Sequence, residues 1–135
     1  MKKSNSFPGI YTGYYSKMKK YKELGLVSVS IAWGTPVWYF GETCFDLAPP
    51  YKIIKAYKTN EITQEEYAEQ YNEFHENQVK WSKVFKELRE ISGKYDNADL
   101  VLVCFEKSED FCHRHLLADY INEQDIGITI EECDI

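Results

Sequence analysis

Leu100-Val-Leu-Val-Cys-Phe-Glu-Lys-Ser-Glu-Asp-Phe-Cys-His-Arg-His-Leu-Leu-Ala-Asp-Tyr-Ile121 decides how this chain is read. It opens with an unbroken apolar run, Leu100 to Phe105. A short run rich in Val and Leu reads as a strand buried on both faces. Polar residues follow from Glu106 to Asp110, and then Leu116, Leu117, Tyr120 and Ile121 recur at helical spacing. The stretch is therefore strand, turn, helix. Ser108 or Asp110 is placed to cap the helix, and Cys112, His113 and Arg114 fall in or near its first turn.

A helix start leaves N–H groups unpaired and carries a partial positive charge, so it attracts anions, phosphate above all. Arg114 adds a planar donor pair suited to phosphate or carboxylate, which makes it the expected anion contact. The same field biases the Cys112 thiol toward thiolate. Glu106, just past the strand, is where an open α/β sheet presents groups to a ligand. The plainer alternative is that Cys112 packs under the helix and that His113 shares a face with Leu116, Leu117 and Tyr120.

These residues resemble a known family, domain of unknown function 488 (DUF488), in its short single-domain form. Its hallmark is a strand ending in Cys-x-Glu and then Cys-His-Arg, here Cys104, Glu106, Cys112, His113 and Arg114. Gly13-Tyr14, Gly34-Thr35-Pro36 and Leu47-Ala48-Pro49-Pro50-Tyr51 add to the likeness, which covers most of the chain. Many relatives carry a basic residue after the second strand, where this chain has Ala32-Trp33. The resemblance implies a fold and a site location, and it implies no reaction.

At 135 residues the chain is expected to form one domain, 1–135, able to bury a core without staples. Hydrophobic residues at 44% and charged residues at 28% exclude a disordered chain. The net charge of −6 argues against nonspecific coating of duplex DNA, although a local basic pocket is compatible with it. No apolar run is long enough to span a bilayer, and Met1-Lys-Lys-Ser-Asn-Ser has no apolar stretch behind it. The expected location is cytoplasmic, with no membrane partner. Cys44, Cys104, Cys112 and Cys133 form no Cys-x-x-Cys pair and read as reduced thiols.

Residues 1–6 read as loose. Ile10–Tyr14 reads as a first strand and Ser16–Leu24 as a short helix with a solvated lysine face, ended by Gly25. Leu26–Ala32 reads as a second strand. From Trp33 to Tyr57 the sequence is irregular and aromatic, and it is expected to be a flap over the sheet's C-terminal edge. Thr63-Gln-Glu-Glu66 has capping-box form, with Ile62 and Tyr67 placed as a staple. Tyr67, Tyr71 and Phe74 form one apolar stripe and Trp81, Val84, Phe85 and Leu88 another. Helices are expected over 63–75 and 78–92, the second capped by Asn77 and ended by Gly93. His75, in the polar break between the stripes, is expected at the surface. Ile126–Ile130 reads as a last strand, and Glu131, Glu132 and Asp134 as an acidic tail.

The expected architecture is a small three-layer Rossmann-like α/β domain with a mostly parallel sheet. Its strand ends would gather Tyr14, Ser16, Trp33, Gly34, Thr35, Trp38 and Arg114 around a nucleotide or phosphorylated small molecule. Glu106, Cys112 and His113 are the candidate catalytic groups. Neither a Gly-x-Gly-x-x-Gly nor a Gly-x-x-x-x-Gly-Lys loop is present. A zinc site from Cys104, Cys112, His113 and His115 is set aside, as is a Cys112–His113 dyad, because neighbours within a helix point apart. No metal or cofactor is expected. Two functions remain: a hydrolase or transferase acting on a nucleotide, nucleoside or nucleobase, in nucleotide or nucleic-acid metabolism; or a non-enzymatic module that senses or sequesters a phosphorylated small molecule.

Overall fold

A computed structural model describes residues 7–105 and 112–134. Glu106, Ser108 and Asp110, and the segment 1–6 read as loose, lie outside the described residues. Among the described residues, five strands form one sheet: β1 (Ile10–Tyr14), β2 (Val27–Ser30), β3 (Glu42–Thr43), β4 (Leu100–Cys104) and β5 (Ile130–Glu132). Their order is β3-β2-β4-β1-β5, and every pairing is parallel. Among the described residues, five α-helices accompany them: α1 (Met18–Glu23), α2 (Tyr51–Lys58), α3 (Gln64–Asn77), α4 (Trp81–Lys94) and α5 (His113–Glu123). This is the Rossmann-like α/β arrangement expected of strands alternating with helices. No helix among the described residues is long and apolar enough to cross a membrane.

The central strand β4 is buried along its whole length, as its unbroken apolar run dictates. Its alternation builds two cores. Leu100 and Leu102 join Val29, Ile53, Tyr71, Val84, Leu88 and Leu117 beneath α2–α5. Val101 and Val103 join Tyr15, Tyr21 and Tyr39 on the opposite face. Gly13 in β1 lets α1 close on that face: a Cβ there would lie 2.3 Å from the Tyr21 hydroxyl and 2.8 Å from Val101. That hydroxyl accepts the Tyr14 N–H at 3.2 Å.

Several boundaries depart from the sequence reading, each for a local reason. The segment 33–57 is no plain flap, for it contributes edge strand β3 and helix α2. Pro50 is the N-cap of α2, a helix end where its missing N–H costs nothing. The capping box at α3 is formed: Glu66 N–H donates to Thr63 Oγ1 at 3.1 Å, and Thr63 N–H to Glu66 Oε1 at 2.9 Å. Asn77, however, stays in α3, and α4 begins after Lys80 without a side-chain cap. Gly93 lies inside α4, and the turn beyond is made by Asp96 and Asn97 at φ 60° and 61°. Such short polar side chains are the non-glycine residues that best tolerate this backbone. At the C-terminus, Asp125 (φ 53°) and Gly127 (φ 82°) spend part of the expected last strand on a turn, so β5 starts at Ile130. Glu131 and Glu132 are therefore strand residues and not a tail.

His75 is 0% exposed, contrary to the surface expectation. It stands four residues after Tyr71, so helical phase places it inward whatever the polarity of Glu76-Asn77-Gln78. Its ring meets Tyr71, Tyr120 and Trp81 at centroid distances of 4.0, 4.8 and 5.6 Å.

Candidate active site

The chain leaves β2 toward one sheet edge, at β3, and leaves β4 toward the other, at β5. Adjacent strands whose chains part in opposite directions open a crevice at their C-terminal ends, the usual ligand site of such sheets. A cavity of about 400 Å³ occupies that place. Trp33 and Gly34, after β2, line one side, and Phe105, Cys112 and His113, after β4, line another. Helices α2 and α3 close it with Tyr51, Tyr57, Lys58 and Tyr67. Trp33 is held in place, since its indole N–H donates to the Pro49 carbonyl and its ring stacks on Phe45 at 6.2 Å.

Of the expected ligand contacts, then, Trp33 and Gly34 line the cavity beside Cys112 and His113. Tyr14, Ser16, Thr35, Trp38 and Arg114 do not. Ser16 and Thr35 are exposed, and Trp38 packs its edge on Tyr15 at 6.4 Å. Tyr51, Tyr57, Lys58 and Tyr67 escaped the sequence reading. Tyr51, Ile54 and Tyr57 recur at helical spacing, and Pro50 stands at the start of their helix, so the signal lay within the segment expected to be a flap.

Arg114 was expected to face an anion and instead lies wholly buried. Its Nε and Nη2 donate to the two carboxylate oxygens of Glu132 at 3.2 and 3.1 Å, and its Nη1 donates to Cys104 Sγ at 3.0 Å. The cause is tertiary, because β5 pairs with β1 and carries Glu132 beneath α5. Tyr14 covers the guanidinium at 5.7 Å. Lys58 is the cation that lines the cavity.

Cys112 is the N-cap of α5 and has extended backbone, φ −152° and ψ 145°. It therefore stands outside the helix, where its side chain escapes the divergence of successive helical residues. Cys112 Sγ lies 4.0 Å from His113 Nδ1. The other ring nitrogen, Nε2, is 2.8 Å from the Ile31 carbonyl. A carbonyl only accepts, so Nε2 carries the proton and Nδ1 presents its lone pair toward the sulfur. Burial holds the His113 pKa down at about 4, with the Arg114 charge acting the same way, so the ring is neutral at pH 7.

Only two of the four cysteines expected as reduced thiols are free. Cys104 and Cys112 are joined sulfur to sulfur, because the end of β4 and the N-cap of α5 face each other across eight positions of sequence. Cys44 and Cys133 are free, and burial pushes the Cys44 thiol up to about 12, leaving it inert at pH 7. Cys104, Cys112 and His113 bring their donor atoms within 4.8 Å of one another, the convergence that the sequence reading set aside.

No curated protein and no solved structure shows significant similarity to this chain. Residues 18–125, most of its length, match the family described as "Active DUF488-N3 subclade". The chain belongs to that DUF488 family.

Proposed function

We propose that this protein is a hydrolase or transferase that binds a nucleotide, nucleoside or nucleobase in the crevice between β2 and β4, and that it serves nucleotide or nucleic-acid metabolism. The observation that carries the reading is the cavity's lining, in which four aromatic walls, Trp33, Tyr51, Tyr57 and Tyr67, surround a floor of Cys112 and His113. Aromatic walls favour a flat ring, because base–aromatic stacking is tolerant of base identity. Lys58 and the N-terminal end of α5 supply positive potential for a phosphate. Cys112 and His113 form the reacting centre, and the Cys-x-Glu motif makes Glu106 a further catalytic candidate by sequence. The family's description as active supports an enzyme over a sequestering module.

The test begins with mass spectrometry of small molecules released from the purified protein. A ring-bearing, phosphorylated compound is expected. Trp33→Ala should weaken its binding roughly ten- to a hundredfold, in line with the loss of one base–aromatic stack. Cys112→Ser should retain the compound and stop its turnover. Recovery of the compound unchanged after long incubation with the wild type would instead establish the binding module. Unaltered affinity in a folded Trp33→Ala protein would refute the crevice as the site.

A further inference from the structure

We propose that Cys104, Cys112 and His113 form a zinc site whose open position faces the crevice. The proposal rests on the reading above: it takes the same reacting centre and names the group that works there. Their three donor atoms converge within 4.8 Å, and among the described residues no other such group of His, Cys, Asp or Glu does so. Zinc holds sulfur at about 2.3 Å and nitrogen at about 2.0–2.1 Å, so tetrahedral neighbours stand roughly 3.5–4 Å apart. The 4.0 Å from Cys112 Sγ to His113 Nδ1 lies within a few tenths of an ångström of the roughly 3.6 Å of such a sulfur–nitrogen pair.

Three independent features point the same way. The first is the imidazole. A ligating histidine almost always donates its second ring N–H to a fixed acceptor, which sets the tautomer and aims the other nitrogen at the metal. His113 Nε2 is so anchored on the Ile31 carbonyl, at 2.8 Å. The second is the backbone. Cys104 and Cys112 have Cα atoms 7.7 Å apart, whereas disulfides usually span about 4.4–6.8 Å. Two thiolates on one ion keep their sulfurs farther apart than a bond does, and they suit the wider frame. The third is charge. Two thiolates and a neutral imidazole balance a divalent ion. The Arg114 charge is met by Glu132, which leaves Nη1 to donate to the Cys104 sulfur at 3.0 Å as an outer partner of a thiolate ligand.

Binding is an exchange of two protons for the ion: the Cys104 and Cys112 thiols release one proton each as their sulfurs bond to Zn²⁺, with no change of oxidation state. The disulfide is the form that cannot bind, and a low-molecular-weight thiol converts it by becoming a disulfide itself. A zinc ion with three protein ligands keeps a fourth position for water or substrate. Cys112 and His113 both line the cavity, so that position is offered to whatever the aromatic walls hold. Thiolate with imidazole favours zinc over the hard, oxygen-seeking cations.

The experiment uses the full chain, reduced, freed of metal and titrated with Co²⁺ as a spectroscopic stand-in, together with metal analysis of protein purified without chelator. Expected are one ion per chain, a sulfur-to-cobalt charge-transfer band and the intense visible bands of a tetrahedral site. Cys104→Ser and Cys112→Ser should each remove roughly half of the charge-transfer intensity, as one of two thiolates is lost. His113→Asn should alter the visible bands, and the double variant Cys44→Ser with Cys133→Ser should change nothing. The wild-type spectrum needs no variant to fold, so an absent charge-transfer band in protein with four titratable thiols overturns the proposal. So does a band that survives the loss of Cys104 and Cys112. If no metal binds while the released compound is still turned over, the zinc site fails and the crevice reading stands. If metal binds and no ring-bearing compound is recovered, the reverse holds.

Discussion

Replacing His75 with phenylalanine tests how the aromatic core treats an ionisable ring. His75 is wholly buried among Tyr71, Phe74, Trp81 and Tyr120, and neither ring nitrogen has a hydrogen-bond partner among the described residues. Burial pulls its pKa from 6.5 down to about 3, with the nearby His113 ring as a smaller cause in the same direction. The unfolded imidazole takes up a proton near pH 6.5, whereas the folded one does so only near pH 3. Within that window unfolding binds a proton, so stability is full above pH 6.5 and falls as the solution is acidified toward pH 3. Each unit of pH costs about 1.4 kcal/mol per such group, which makes about 2 kcal/mol at pH 5. His113 is depressed in the same sense and adds its own loss, but the substitution leaves that untouched. Urea unfolding at pH 7 and pH 5 should therefore show the wild type losing about 2 kcal/mol more than His75→Phe. The comparison is a difference of differences, so any cost of fitting the larger ring cancels. Parallel stability curves for the two proteins across this range would refute the placement of His75 as a neutral buried ring.

Two further outcomes follow from the packing. Glu132→Ala leaves the fully buried Arg114 without the carboxylate that holds its Nε and Nη2, and it should cost about 3–5 kcal/mol in chemical denaturation; a loss below about 1 kcal/mol would mean the pair behaves as a solvated surface bridge. Gly13→Ala places a methyl group against the Tyr21 hydroxyl and Val101, and it should cost about 1–3 kcal/mol by overpacking. A melting curve identical to the wild type would show that α1 does not sit close on β1.

Patterns of short range were legible in the sequence. Leu100–Cys104 is a buried central strand because nothing polar interrupts it, and Ile10–Tyr14 is a strand with the bounds its residues suggest. Thr63 and Glu66 cap α3 because the capping box is contained within four residues. That Trp33 and Gly34 follow β2, and that Cys112 and His113 follow β4, is likewise plain in the order of residues. Each of these readings depends only on chain neighbours and on the periods of helix and strand. The fate of Arg114 did not, because its partner Glu132 stands eighteen positions later on β5, and only the pairing of β5 with β1 brings the two together. The meeting of Cys104, Cys112 and His113 likewise required that Cys112 end up extended, one residue outside α5, facing the end of β4. Periodicity says which face of an element turns inward. Strand order and register, set by the packing of the whole core, decide which side chains on those inward faces touch.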